Sequence, residues 1–301
     1  MQTISLGTDM TAGPQPGRET ETGLSVHPLS AGDEAEVWEF LSARPIHTVF
    51  IKGLIKENGL VNDLNRGKFY ACRDSEGRLL GVALLGHITL IETHFDAVLR
   101  AFANYARGAQ PIYMILGEQE KAECFWDSYS ASADGTCKQH RELLFVQHCP
   151  PPLSEPLPDL RLATPDDLHI LLPFYGEMHC RESGVNPLEV DPEGFRQRWL
   201  RRIEQGHAWV WIEGENLMFN ADILRDTPDC IYLEGIHVAP EIRGKGHGLR
   251  CMSQLSHILL ARARSLCLLC DSQNAEAEKF YRKAGYEMAG YYKTIFLSWK
   301  N

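Results

Sequence analysis

Apolar residues recur along this chain with two periods, every three to four residues and every second residue. The places where one period gives way to the other divide it into two halves on one plan. In the first half Ser30-Ala-Gly-Asp33 stands before the run "EAEVWEFL", and in the second Thr164-Pro-Asp-Asp167 stands before "LHILLPFY". A hydroxyl followed three positions later by an acid is a helix start, and Pro165 suits the first helical position. Alternating apolar residues then flank a turn in each half. "KFYACRDSEGRLLGVALLG" turns at Ser75-Glu76-Gly77 and "HAWVWIEGENLMFNADIL" at Gly214-Glu215-Asn216, which predicts two hairpins. Further on, Gln119-x-x-Ala122-Glu123-x-Phe125-Trp126 mirrors Asn274-x-x-Ala277-Glu278-x-Phe280-Tyr281. Three matches in one order predict a duplicated α/β unit. Between the copies lies "CPPPLSEPLP", residues 149–158, whose prolines continue neither a helix nor a central strand.

One stretch has no counterpart. "EIRGKGHGLR", residues 241–250, carries Gly244, Gly246 and Gly248 at every second position, whereas the corresponding place in the first half reads "GHITLIETHF" near 86–95. Upstream, "CIYLEGIHV" (230–238) is strand-like, with β-branched and aromatic residues. Downstream, Leu249, Met252, Leu255 and Leu259 recur with helical spacing. The glycines therefore lie in a strand-to-helix loop, which points free N–H groups at one place with the positive end of a helix dipole behind them. That is an anion site, and a pyrophosphate is its natural guest. Neither GxxxxGK[ST] nor GxGxxG fits the row; Arg243-x-x-Gly246-x-Gly248 does.

With its lead-in, "GIHVAPEIRGKGHGLRCMSQL" resembles the coenzyme A pyrophosphate loop of the GNAT N-acetyltransferases. "NAEAEKFYRKAGY", residues 274–286, resembles their second signature, in the right order and about 25 residues on. The resemblance covers roughly residues 158–301. Residues 24–148 are similar to the degenerate N-terminal copy of tandem-GNAT proteins, and "MFNADIL" is similar to a strand of that subgroup, with Asn220 where a lysine is expected.

The implied fold is α/β: two tandem GNAT-like domains, each a central, mostly antiparallel sheet flanked by helices. The implied domains are a flexible tail over 1–23, a degenerate GNAT-like domain over 24–148, the proline-rich linker over 149–158 and a catalytic domain over 159–301. The two halves are expected to pack as one body, since a lone degenerate domain would expose a sheet edge.

The resemblance also assigns roles. The amides of Gly244, Lys245, Gly246, His247 and Gly248 bind the pyrophosphate of acetyl-CoA, with Arg243 at the entry. His247 stands where an apolar or aromatic residue is expected, and its side chain is read as solvated. The strand carrying Ile236, His237 and Val238 splays from its neighbour, and the amide near Val238 holds the thioester carbonyl. Asn274 and Ala277 of the second signature face the coenzyme arm, Asn274 serving also as a helix cap. Tyr281 is the general acid for the departing thiolate. Trp126 stands at its place in the first half, which also lacks the glycine loop, so that half is expected to be inert.

A protonated amine acceptor must lose a proton. Glu234, on the strand leading to the loop, is the first candidate base. Asp271 and Glu182 are rivals, and a water chain could replace all three. The leading function is an acetyl-CoA-dependent N-acetyltransferase in which the amine attacks the thioester directly. The alternatives are acylation of a less ordinary amine, as in mycothiol synthase, and a non-catalytic acyl-CoA-binding sensor or scaffold.

Composition narrows the partners. A formal net charge of −10 disfavours a nucleic-acid surface. Nine scattered cysteines argue for a reducing compartment, and Cys267 and Cys270 would face opposite sides of a strand, so no metal is expected. No apolar run reaches the roughly 20 residues of a membrane span, and the N-terminus lacks a signal-peptide pattern. These features lead to the expectation of a cytoplasmic protein, and the family resemblance implies a small-molecule or peptide amine as acceptor. Neither the acceptor nor the oligomeric state can be read from the residues.

Overall fold

A computed structural model describes residues 18–19, 23–108, 111–130, 135–152 and 159–299. The expected tail over 1–23 therefore lies outside the described residues apart from Arg18, Glu19 and Gly23, and so do residues 153–158 of the linker.

The first half runs β1 (Arg18–Glu19), β2 (Ser25–Pro28), α1 (Glu34–Ser42), α2 (Val49–Asn58), β3 (Gly67–Arg73), β4 (Leu79–Gly86), β5 (Ile88–Thr93), α3 (Asp96–Ala106), β6 (Met114–Glu118), α4 (Gln119–Ser130) and β7 (Gly135–Gln147). The second runs β8 (Arg161–Leu162), α5 (Leu168–Ser183), α6 (Pro187–Val190), α7 (Pro192–Glu204), β9 (Ala208–Glu213), β10 (Asn216–Asp226), β11 (Ile231–Val238), α8 (His247–Leu260), β12 (Leu266–Asp271), α9 (Ala275–Lys283) and β13 (Glu287–Trp299).

Both expected helix starts form. The Asp33 carboxylate accepts from the Ser30 amide at 2.8 Å, and Asp167 accepts from the Thr164 amide at 2.7 Å. Each opens a short 3₁₀ turn that feeds α1 or α5. Both hairpins form as well, β3 with β4 and β9 with β10.

The described strands make one 13-stranded sheet in the order β1-β2-β3-β4-β5-β6-β13-β7-β12-β11-β10-β9-β8. The order shows how the halves join. β7, the last strand of the first half, pairs with β12 of the second. β13, the last strand of the second half, pairs with β6 of the first, and β7 and β13 pair along their whole length. Each half thus lends its final strand to the other.

The cores follow. On one face, Cys251, Met252, Leu255 and Leu259 of α8 are sealed against Phe219, Ile231, Leu233 and Leu268. Each such side chain contributes about 1.5–3 kcal/mol of burial. On the opposite face α2 of the first half packs on Tyr232 and Cys267 of the second, with the Phe50 and Tyr232 rings 4.4 Å apart.

Candidate active site

β11 keeps β10 as a neighbour along its whole length but loses its other neighbour part-way. It pairs in parallel with β12 only from Ile231 to Leu233, and beyond that point the two strands part. A bulge accompanies the parting. Asn220 lies opposite His237 and Asp222 opposite Glu234, so β11 holds one residue more than β10 in this stretch. Gly235 sits at the bulge with φ +61°, and a Cβ there would lie 2.4 Å from Asp222 Oδ2. Only glycine meets both demands.

Past the bulge the Ala239 amide donates to the Met218 carbonyl at 2.9 Å, towards β10. Peptide groups alternate in direction along a strand, so the N–H and C=O of Val238 face the opening instead. Arg243 Nε donates to that carbonyl at 2.9 Å, which leaves the Val238 amide as the donor on this side.

The loop after β11 uses its glycines for two different reasons. Gly244 and Gly246 have φ of +73° and +83°, with open space where a Cβ would point. Gly248 has no such φ; a Cβ on it would meet Val238 Cγ2 at 2.8 Å and Phe280 Cε2 at 3.2 Å. The first two turn the chain and the third lets α8 approach the strand. As a result the six amides from Gly244 to Leu249 donate to no protein acceptor among the described residues. They cluster at the N-terminus of the 14-residue α8, where the helix dipole adds positive potential.

A cleft of about 760 Å³ opens between this loop, the end of β11 and α9. Ile236, His237 and Val238 form one wall, and Arg243, Gly244, Gly246 and Gly248 form its base. Asn274, Ala277 and Tyr281 stand opposite. The fold therefore gathers ten of the twelve expected coenzyme-contacting residues around one space. Lys245 and His247 belong to the loop but do not line the cleft.

Asn274 caps α9, its side chain accepting from the Ala277 amide at 3.0 Å. Tyr281 is 8% exposed, its ring 5.8 Å from that of Phe145 of β7, so a strand lent by the first half backs it. Its hydroxyl makes no hydrogen bond to the protein among the described residues. Burial raises its pKa and keeps the proton on.

Several expectations need correction. Glu234 is not in the cleft wall; Arg202 of α7 donates to its Oε1 at 2.7 Å. Asp271 ends β12 and accepts from the Gln273 amide at 2.8 Å, as a turn residue does. Glu182 belongs to α5, and its side chain is outside the described set. His247 is not solvated: it is half-buried against Trp211 at 5.5 Å, with Nδ1 sealed.

Two features add to the expected coenzyme contacts. His237 stands in the wall with its ring 4.9 Å from that of Phe174 of α5, and its nitrogens bond to no protein group among the described residues. Burial, then Arg243 and Arg181, lower its pKa against the opposing pull of Glu241 and Glu177, so the ring is neutral at pH 7. Behind the bulge lies a buried cluster. Asp222 accepts from Tyr175 Oη at 2.8 Å and from Asn220 Nδ2 at 2.7 Å, and Asn220 Nδ2 also donates to the Gly235 carbonyl at 2.8 Å. Burial pushes Asp222 up to about 7 despite Arg202 nearby. The Asn220–Asp222 spacing on one strand face was the available signal, but Tyr175 lies 45 residues from Asn220.

The first half parts its strands in the same way: β5 and β6 pair only at Ile88–Met114 and Thr89–Ile115. Its opening is filled with charge. Arg44 donates to Glu118 at 2.7 and 2.9 Å and to Glu92 at 2.9 Å, and Lys121 lies 2.6 Å from Glu118. The cavity left beside His47, Glu92, Glu118 and Tyr292 is about 20 Å³. Only His94 and Phe95 connect β5 to α3, with no glycine between them.

Comparison with known proteins agrees with this geometry. Residues 173–286, which contain β11, the glycine loop and α9, match the family model for Acetyltransferase (GNAT) family proteins. The chain carries a GNAT-family domain. Its whole fold is that of solved GNAT structures. One is a GNAT-family acetyltransferase from Colwellia psychrerythraea, 14% identical, covering 90% of this chain and 98% of that one with a TM-score of 0.52. Another is a GCN5-related N-acetyltransferase from Sphaerobacter thermophilus, 13% identical, covering 91% and 95% with a TM-score of 0.57. A tandem GNAT protein from the clavulanic acid biosynthesis pathway is 12% identical and covers 91% and 98% with a TM-score of 0.50. At such identities the likeness speaks for the fold alone. No curated protein matches the chain. Among the described residues no helix is long and apolar enough to cross a membrane, and no group of three or more His, Cys, Asp or Glu is placed to hold a metal.

Proposed function

We propose that this GNAT protein is an acetyl-CoA-dependent N-acetyltransferase with one coenzyme site, in its second half. The observation that carries the reading is the row of six unpartnered amides at the mouth of a cleft that also holds the unbonded Tyr281 hydroxyl. Unpaired amides beside a helix N-terminus fit a diphosphate without rearrangement. The parted strands offer the coenzyme arm a main-chain edge to lie along.

Each step then falls to a named group. The Val238 amide donates to the thioester oxygen as negative charge grows there, a contribution of order 3 kcal/mol to such a barrier. His237 takes the proton from the acceptor's ammonium, because its ring is neutral, unbonded and in the wall, whereas Glu234 is held by Arg202. As the carbon–sulfur bond breaks, Tyr281 gives its hydroxyl proton to the leaving sulfur, the new amide nitrogen sheds its second proton to solvent, and solvent returns a proton to Tyr281. Gly235, Asn220 and Asp222 hold the bulge that turns β11 away from β12 and keeps the Val238 amide aimed at the opening. The acceptor is a small-molecule or peptide amine.

Calorimetric titration with acetyl-CoA, beside a Gly246→Glu variant, tests the coenzyme site. One site per chain, lost in the variant, is the expected result. Two sites would mean that the first half also binds. Thiol release from acetyl-CoA in the presence of a panel of primary amines then tests turnover. Binding with no turnover on any amine would favour a sensor or scaffold instead.

A further inference from the structure

The charges on α9 divide by face. Arg282 is paired with Glu278, four residues earlier, at 3.0 Å. Lys279 and Lys283 have the same spacing, yet neither has a carboxylate within 4.0 Å among the described residues, and both line the cleft. Two like charges one helical turn apart weaken a helix slightly when nothing lies between them. Glu276 also lines the cleft but forms no ion pair with either lysine. With Arg243, the cleft lining therefore presents three Lys or Arg cations against one carboxylate, on a chain whose net charge is −10. The six loop amides already suffice for a diphosphate. The two lysines are positive charge beyond that need, on a different wall from the loop.

We infer that Lys279 and Lys283 form a second anion subsite, which takes the phosphomonoester on the ribose of the coenzyme and makes the cleft selective for the 3′-phosphorylated form. The inference rests on the coenzyme reading above and adds a group to it. A phosphomonoester carries a charge of about −1.5 to −2 at pH 7, which matches two ammonium groups. Lysines suit this role because their charge is compact and their stems reach out from an exposed helix face.

The test is calorimetry at low salt with acetyl-CoA and with acetyl-dephospho-CoA, which keeps the diphosphate and loses only the ribose phosphate. The wild-type protein is expected to bind acetyl-CoA about tenfold more tightly than the dephospho form, from two partly exposed charged contacts. A Lys279→Ala/Lys283→Ala variant should bind both forms equally, at the wild-type affinity for the dephospho form. Arg282→Ala, at a residue paired with Glu278 and outside the cleft lining, should keep the preference. Below pH 6 the phosphomonoester gains a proton and the wild-type preference should shrink, which loss of helix structure would not reproduce. Equal wild-type affinities for the two forms, or a preference that survives in the double variant, overturn the lysine subsite while leaving the loop reading intact. No binding of either form overturns the loop reading, and the inference falls with it.

Discussion

Gly246 and Gly248 are two residues apart and meet different needs, so substitutions at them should fail in different ways. At Gly246 the backbone has φ +83° and the space is empty. Alanine there meets no neighbour and suffers only left-handed strain, about 1–2 kcal/mol. The loop is exposed and can relax in the free protein, so the strain is felt when the amides must converge on a ligand. We expect Gly246→Ala to weaken acetyl-CoA by about 5–30-fold with little change in melting temperature. Asparagine tolerates the left-handed region, so Gly246→Asn should lose only about threefold. Gly248→Ala is the reverse case. A Cβ would overlap Val238 at 2.8 Å, an overpacking cost of about 1–3 kcal/mol, offset by about 1 kcal/mol of helix propensity. Its melting temperature should fall by a few degrees and its affinity should fall too, because Val238 is displaced. Calorimetric titration and thermal unfolding of the three variants read both quantities. If Gly246→Ala and Gly246→Asn bind alike, backbone conformation is not what Gly246 supplies and the argument is wrong.

Tyr281→Phe should retain acetyl-CoA affinity and lose about 100-fold or more in thiol release, since the ring packing survives and the proton donor does not; unchanged turnover would remove Tyr281 from the mechanism. Arg44→Met should destabilise the protein by about 2–4 kcal/mol in chemical unfolding at pH 7, because it strips Glu92 and Glu118 of one of the two cations they share and leaves them only Lys121, while acetyl-CoA affinity stays unchanged. Glu118, though burial opposes it, is held at about 2 by Arg44 and Lys121, so its contribution is present above pH 4.5 and is lost as pH falls towards 2; that acid loss should be smaller in Arg44→Met. Asp222 has the opposite sign. Its folded pKa of about 7 lies above the unfolded value near 3.8, so the folded state binds the extra proton and stability falls as pH rises from about 4 to 7. Asp222→Asn should flatten that fall, and an unaltered slope would show that Asp222 is not the group responsible.

Local signals were legible in the residues and long-range ones were not. The capping boxes at Ser30 and Thr164, both hairpins and the strand-loop-helix around Gly246 each depend on contacts within about twenty residues, and each formed where the pattern placed it. The lending of β7 and β13 between halves left no trace in the residues. Alternation tells which face of a strand is buried, not which strand will lie beside it. The ion cluster of Arg44, Glu92, Glu118 and Lys121 joins three separated segments for the same reason. The strand and spacing of Glu234 suit a base, but its partner Arg202 lies 32 residues away on α7. The sequence identifies His237 only as a residue lining the coenzyme path. Its fitness to accept a proton depends on Phe174, Arg181 and Arg243 around it, and one strand pattern does not contain them.

The lent strands set a timetable for the molecule. β6 waits for β13 as its neighbour, and β13 leaves the ribosome after every other strand of the second half. The first half is thus completed after the second has been almost wholly synthesised, and until then it holds an open edge in the middle of the future sheet. Removing β13 would injure the N-terminal half, whose β6 and β7 both pair with it. Deleting the N-terminal half would take away β7, which flanks β12 and carries Phe145 against Tyr281. A half whose own opening is closed by ion pairs is in this way tied to the other's chemistry, and neither copy can be discarded without unmaking the other.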